Sequence, residues 1–199
     1  MLLYGASGHG SVVLSILESL NYSVNGFFDD NNKFLEFESY KIYGKYSPNI
    51  YPENHILITI GNNRTRFHLA KLITHSFFYG CFSKSAIIDK NVSIGRGTVI
   101  FQSSIIQKGT KIGINCIINT NASVDHDCVI DDFVHISPSA TLCGNVKIGQ
   151  GTHVGAGSTI IQNIKIGKWC VIGAGAVIIN DIPDNSLVVG VPGKIIKKL

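Results

Sequence analysis

From Ile88 to Ile178 every sixth residue is aliphatic, without a skip: Ile88, Ile94, Ile100, Ile106, Ile112, Ile118, Val124, Ile130, Ile136, Leu142, Ile148, Val154, Ile160, Ile166, Ile172 and Ile178. A period of six fits neither the 3.6 of an α-helix nor a strand's alternation of two. It is the mark of a parallel β-helix built from hexapeptide repeats. Three hexads close a triangular coil, so residues one coil apart stand above one another with their aliphatic side chains stacked inward. About five coils result, each rising roughly one strand spacing of 4.8 Å. Glycine follows the aliphatic at Gly95, Gly113, Gly149, Gly167 and Gly173, where a corner calls for positive φ or small volume.

The composition changes along the chain. All seven tyrosines and eight of the ten phenylalanines precede residue 84, and the rest is rich in Ile, Val, Gly and Asn. This divides the chain into an α/β domain over residues 1–83, a β-helix over 84–180 and a tail over 181–199. In the first part Met1–Tyr4, Asn25–Phe28 and Ile56–Ile60 read as strands, with helices over Ser11–Leu20 and after Asn63. Strands alternating with helices imply a parallel, Rossmann-like sheet, which binds ligands at the carboxyl ends of its strands. Those ends carry Gly5–Gly10, Asp29-Asp30 and Gly61-Asn62-Asn63.

Composition also excludes function classes. The net charge is +4 and the lysines are scattered, so nucleic acid is not an expected partner. No run of apolar residues is long enough to span a membrane, and the amino terminus lacks the pattern of a signal peptide. The five cysteines have no CxxC pairing. Cys116, Cys128 and Cys170 each fall four residues after a repeat aliphatic, as small corner fillers. No metal site and a reducing, cytoplasmic setting are expected.

The coil converts sequence offsets into neighbours. His126 stacks near Gly144, and His135 near His153. Asp125-His126-Asp127 stands out among Ile, Val, Gly, Asn and Ser. It reads either as a general base oriented by a carboxylate or as a solvated polar corner. The Gly144 N–H could hold an oxyanion, or Gly144 could be a plain turn glycine. His135 could touch a cofactor or a neighbouring subunit, and His153 reads as structural or solvent-facing. Lys111, Lys147 and Lys165 share a column that faces either phosphates or solvent. Gly5, Gly8 and Gly10 between a strand and a helix suggest phosphate at a helix N-terminus, though not in the dinucleotide order.

Tyr4-Gly-Ala-Ser-Gly-His-Gly10, Asp29-Asp30, Ile60-Gly-Asn-Asn63, His126-Asp-Cys-Val-Ile130, Cys143-Gly-Asn-Val-Lys-Ile-Gly149 and Val189-Gly-Val-Pro192 occur in this order. With them the whole chain resembles the nucleotide-amino-sugar N-acetyltransferases of the bacillosamine pathway and the related sialic acid O-acetyltransferases. The resemblance implies a left-handed β-helix, a homotrimer with sites between neighbouring β-helices, and acetyl-CoA as donor. The implied acceptor is the amine of a UDP-4-amino-4,6-dideoxy-N-acetyl sugar, with O-acetylation of a sialic acid as the alternative. A non-catalytic nucleotide-sugar scaffold is the reading outside enzymes. By position the resemblance makes His126 the catalytic base and Asp127 its supporting acid. It places His135, Ala156 and Ala174, beside Gly144, on acetyl-CoA. Ser7, Gly8, His9, Asp29, Asp30, Gly61 and Asn62 fall in its nucleotide-sugar pocket.

Overall fold

The computed structural model describes residues 1–31 and 34–199. Leu2–Tyr4 (β1) is an apolar triplet buried on both faces, as the central strand of a covered parallel sheet must be. Gly8–Ser19 (α1) follows it, then Gly26–Phe28 (β2), a two-stranded hairpin of Glu36–Phe37 (β3) and Tyr40–Lys41 (β4), Ile56–Ile58 (β5) and Asn63–Leu72 (α2). The parallel sheet has the order β2-β1-β5. Alternation splits its residues. Leu3, Phe27 and Leu57 pack with Val13 and Leu17 of α1, while Leu2, Phe28, Ile56 and Ile58 pack with Leu69 of α2 and Ile73 beyond it. Helix α1 starts three residues before the sequence expectation. The last residue of the glycine turn, extended Ser7, is its N-cap, and the Ser7 carbonyl accepts from Ser11 N–H at 2.9 Å.

The β-helix is left-handed and has three faces of six, five and eight strands. The register repeats every coil: Ile105, Ser123, Thr141, Thr159 and Val177 stand in one column. Aliphatics of the sixfold series fill the interior from Ile100 to Ile178. The longest face begins at Gly80–Phe82 (β6), four residues before the start at 84 that composition suggests, because β6 pairs with Thr98–Ile100. It also ends late. Ser186–Val189 pairs in parallel with Val171–Ile172 after two residues are lost from the repeat, and Lys194–Lys198 closes the edge antiparallel. The tail thus adds to the sheet, and its lysines blunt the exposed edge.

Positive φ forms its own sixfold series, three residues after each aliphatic. It runs from Gly97 to Gly175 through Asn115, Asn121, Asp127, Phe133, Asn145 and Trp169. The glycines directly after the aliphatics answer to space instead. A Cβ on Gly95 would lie 2.5 Å from the backbone of Gly113 one coil on. Cys116, Cys128 and Cys170 are buried, and their backbone N–H groups donate to Thr98, Thr110 and Thr152 hydroxyls one coil below. Burial pushes the Cys116 thiol up to about 12 and the Cys128 thiol up to about 11, so both are inert fillers.

The outer side of the eight-stranded face is covered by the first domain, where Val99 and Ile117 pack with Val13 and Leu17. The five-stranded face exposes the lysine column of Lys111, Lys147 and Lys165. No helix among the described residues is long and apolar enough to cross a membrane.

Ile136 is fully buried at the middle of the stack, whereas Ile88 in the first coil is only half-buried. Ile136→Ala should therefore cost about 2–5 kcal/mol in denaturant unfolding, and Ile88→Ala clearly less. Equal costs would mean that the stack is not the stabilising core.

Candidate functional site

The corner after the six-stranded face carries the acid–base group. His126 Nδ1 and Asp127 Oδ2 are 2.9 Å apart, and Asp125 Oδ1 accepts from the His126 backbone N–H at 2.8 Å. The hydrogen bond to Asp127, then the charge of Asp125, raises the imidazole pKa above its ordinary value. With Nδ1–H given to Asp127, Nε2 keeps its lone pair free. That nitrogen lies over Gly144, where a Cβ would stand 2.5 Å from it. The Gly144 N–H donates to no group among the described residues. An exposed, carboxylate-supported imidazole beside a free N–H has the parts of a general base and an oxyanion donor. Cys143, the half-buried cysteine, precedes Gly144 and stands one coil above Asp125.

A second cluster lies at the carboxyl ends of β1, β2 and β5. Gly5 and Gly10 are packing glycines: a Cβ on Gly10 would strike the Gly5 carbonyl. Gly8 and Gly61 face open space, where a ligand has access. The Ser7 side chain makes no cap bond, so the first N–H groups of α1, at Gly8 and His9, have no side-chain acceptor from the cap. Asp29 accepts from Ala6 N–H at 2.7 Å and from Asn31 N–H at 2.8 Å. Asp30 accepts from the Tyr4 hydroxyl at 2.8 Å, and burial together with that carboxylate raises the Tyr4 pKa. Asn62 is the N-cap of α2, its side chain accepting from Thr65 N–H at 2.9 Å. A cavity of 300 Å³ opens between Gly61–Arg64 and the β-helix at His153 and Trp169. Another of 450 Å³ lies between Tyr4, Asp30, Tyr46 and Leu69.

His135 stands with this second cluster, away from His126. It lies on the eight-stranded face beneath the first domain, 8% exposed. Its Nε2 is 3.0 Å from Asn119 Nδ2, and its ring meets His153 at 4.8 Å, edge to face. Burial, then the fields of His153 and Arg66, pushes its pKa down to about 2. The Gly61 carbonyl opposes this slightly but makes no hydrogen bond with Nδ1, which has no partner. His9 stacks on Phe101, and burial, then Arg66, lowers its pKa to about 4. Ala156 and Ala174 are exposed one coil apart on the corner after the eight-stranded face. Within one chain that corner is distinct from the one bearing His126.

Sequence reasoning did not single out Arg66 or Asn119, and it placed Asn63 only at a strand end and in a motif, without its bonds to the β-helix. A signal for Arg66 existed: Asn63, Arg66 and Leu69 recur at i, i+3 on the buried side of α2. Among the described residues no group of three His, Cys, Asp or Glu is placed to hold a metal ion.

Residues 1–73 match the PglD N-terminal domain family, and residues 145–180 match the bacterial transferase hexapeptide (six repeats) family. PerB from Caulobacter crescentus, solved with CoA and GDP-perosamine, superimposes with a TM-score of 0.94 at 29% identity, over 98% of this chain and 96% of that one. The acetyltransferase domain of PglB from Neisseria gonorrhoeae gives a TM-score of 0.90 at 33% identity, over 98% of both chains. WeeI from Acinetobacter baumannii gives 0.87 at 29% identity, over 98% of both. An uncharacterized protein of Acanthamoeba polyphaga mimivirus is 32% identical over 96 residues, 48% of this chain and 20% of its own length. The chain thus spans about a fifth of that curated relative.

Two imidazoles at the seam between the domains, His9 and His135, carry a pH signature. In the unfolded chain they protonate near 6.5, but in the fold only near 4 for His9 and near 2 for His135. Between 6.5 and 4 the unfolded state therefore binds more protons. Thermal melts should lose stability as pH falls below 6.5, and His135→Asn should flatten that slope. A melting temperature indifferent to pH from 7 to 5, on the order of the histidine range, would refute the neutral state of these imidazoles.

Proposed function

Because the chain belongs to the hexapeptide-repeat sugar N-acetyltransferases, which use acetyl-CoA as co-substrate, we propose that it acetylates the 4-amino group of a nucleotide-linked 4-amino-4,6-dideoxy sugar. The observation that carries this reading is His126, paired through Nδ1 with Asp127 and open at Nε2 against Gly144. UDP is the carrier read from the sequence resemblance. GDP stands beside it because PerB holds GDP-perosamine.

The amine of the acceptor loses its proton to His126 Nε2 as its nitrogen attacks the thioester carbonyl. Asp127, accepting from Nδ1, stabilises the imidazolium that forms. The Gly144 N–H receives the oxyanion of the tetrahedral intermediate. The C–S bond then breaks, and His126 returns the proton to the departing thiolate. No acetyl-enzyme is required. Ser7, Gly8 and His9 at the start of α1 suit the diphosphate, and Asp29 and Asp30 suit the hydroxyls of a ribose or the edge of a base. Gly61 and Asn62 border the cavity on the β-helix side. Ala156 and Ala174 offer exposed backbone to the extended arm of CoA, and His135 with Asn119 closes the seam below Gly61.

The same geometry supports a homotrimer. The six-stranded face bears Ile105, Ser123, Thr141, Thr159 and Val177 outward, all half-exposed and uncharged. Packing copies along it would bring the Ala156–Ala174 corner of one chain beside His126 of the next. Light scattering should give the mass of three chains, and a monomer active at high dilution would contradict this arrangement.

Acetyl-CoA mixed with UDP- and GDP-4-amino sugars, and with a sialic acid as the hydroxyl acceptor, should release CoA only with an amine. His126→Ala should lower kcat at least about a hundredfold with the fold intact. Asp127→Asn removes the largest influence raising the His126 pKa. The acid limb of the kcat/KM profile should then move to lower pH, on a reduced plateau. An unmoved limb would mean that another group is the base.

A further inference from the structure

Arg66 is 1% exposed, and no carboxylate pairs with it among the described residues. Carbonyls surround it instead. Nε donates to Asn115 O at 3.1 Å, Nη1 to Ile60 O at 3.1 Å and Gly61 O at 2.8 Å, and Nη2 to Asn63 Oδ1 and Phe133 O, both at 3.0 Å. A longer contact of 3.5 Å reaches Val134 O. These acceptors belong to three separate pieces of chain. Ile60 and Gly61 are the loop at the end of β5. Asn115 and Phe133 are successive left-handed corners of the β-helix, one coil apart. Val134 leads directly into the strand of His135.

We propose that Arg66 is a positioning residue, fixing the Ile60–Gly61 loop against the corner that leads into His135 and so setting where a nucleotide sugar sits relative to the β-helix. This rests on the reading that the Gly61 loop borders the nucleotide-sugar site. Anchorage of α2 alone does not require the guanidinium. Phe67 already packs edge to face on Phe133 and Trp169, at 5.3 Å each, and Asn63 Nδ2 donates to Gly151 O and Thr152 O at 3.0 and 3.1 Å. Burying a charge without a counter-ion is costly, and burial lowers the Arg66 pKa to about 10, which still leaves it protonated at neutral pH. The planar fork of five donors is the side chain that reaches both domains at once. Lysine has three donors on a single nitrogen and cannot span them.

The consequence is a split that a plain stability role would not produce. In the full-length protein, Arg66→Lys should raise KM for the nucleotide amino sugar by about tenfold or more, the weight of one charge-assisted hydrogen bond. KM for acetyl-CoA should stay within about twofold, because Arg66 makes no bond to the exposed Ala156–Ala174 corner proposed for CoA. Asn63→Ala, which loses the Nη2 acceptor and two bonds to the β-helix, should shift the same constant in the same direction, and it carries the test if Arg66→Lys does not fold. Calorimetric titration with UDP and GDP reads the effect without turnover. Unchanged nucleotide affinity in a folded variant, or equal losses for both substrates, would overturn the proposal. A wild-type protein that binds a nucleoside diphosphate yet acetylates no amino sugar would sink the reaction proposed above and leave this comparison standing. One that binds neither nucleotide would sink the positioning role itself.

Discussion

Each coil must return its backbone to the hydrogen-bonding position of the coil before it, with an aliphatic facing inward at every hexad. The rest of the molecule depends on that closure. Because the rise is a single strand spacing, any position repeats as a straight column. Columns then acquire separate chemistries: Thr and Cys line the inner corners, left-handed Asn, Asp and Gly turn them, and lysines stand on one face. The first domain sits on a column as well. Its helix α2 lies along the corners at Asn115, Phe133, Gly151 and Trp169, held by Asn63, Arg66 and Phe67.

The same scaffold drives histidines in opposite directions. His126 stands on an open corner between two carboxylates, and its proton affinity rises. His135 and His153 occupy a flat face beneath another domain, next to a guanidinium, and theirs falls. Residue type does not distinguish them. Solvent access and the sign of the neighbouring charge do. One of the two environments suits proton transfer near neutral pH, and the other suits a neutral, fixed hydrogen-bonding surface.

Much of the solenoid was legible because its signal is local and repeated. The sixfold aliphatics, the stacking of His126 under Gly144 and the pairing of His135 with His153 all follow from counting along one column. The three strands of the first domain were legible as apolar runs, whereas the hairpin of β3 and β4 was not, since two-residue strands leave no pattern. Glycine misled in one respect. The residues after the aliphatics looked like candidates for positive φ, but the left-handed position falls two residues later and accepts Asn, Phe and Trp as well. The tail looked like an exit from the repeat, yet Val188 is buried as one more rung of the core.

By itself the sequence determined the coil, its register and the stacking of the Asp125-His126-Asp127 corner under Gly144, because each depends on residues within a coil or two of one another. Tertiary structure decided the seam. Arg66 lies 49 residues from Asn115 and 67 from Phe133 in sequence, and no periodicity links them. Whether His135 faces solvent or a buried cage depends on which face the first domain covers. That choice is made by the long-range packing of Val13 and Leu17 on Val99 and Ile117, an interaction whose partners carry no mark in either segment alone.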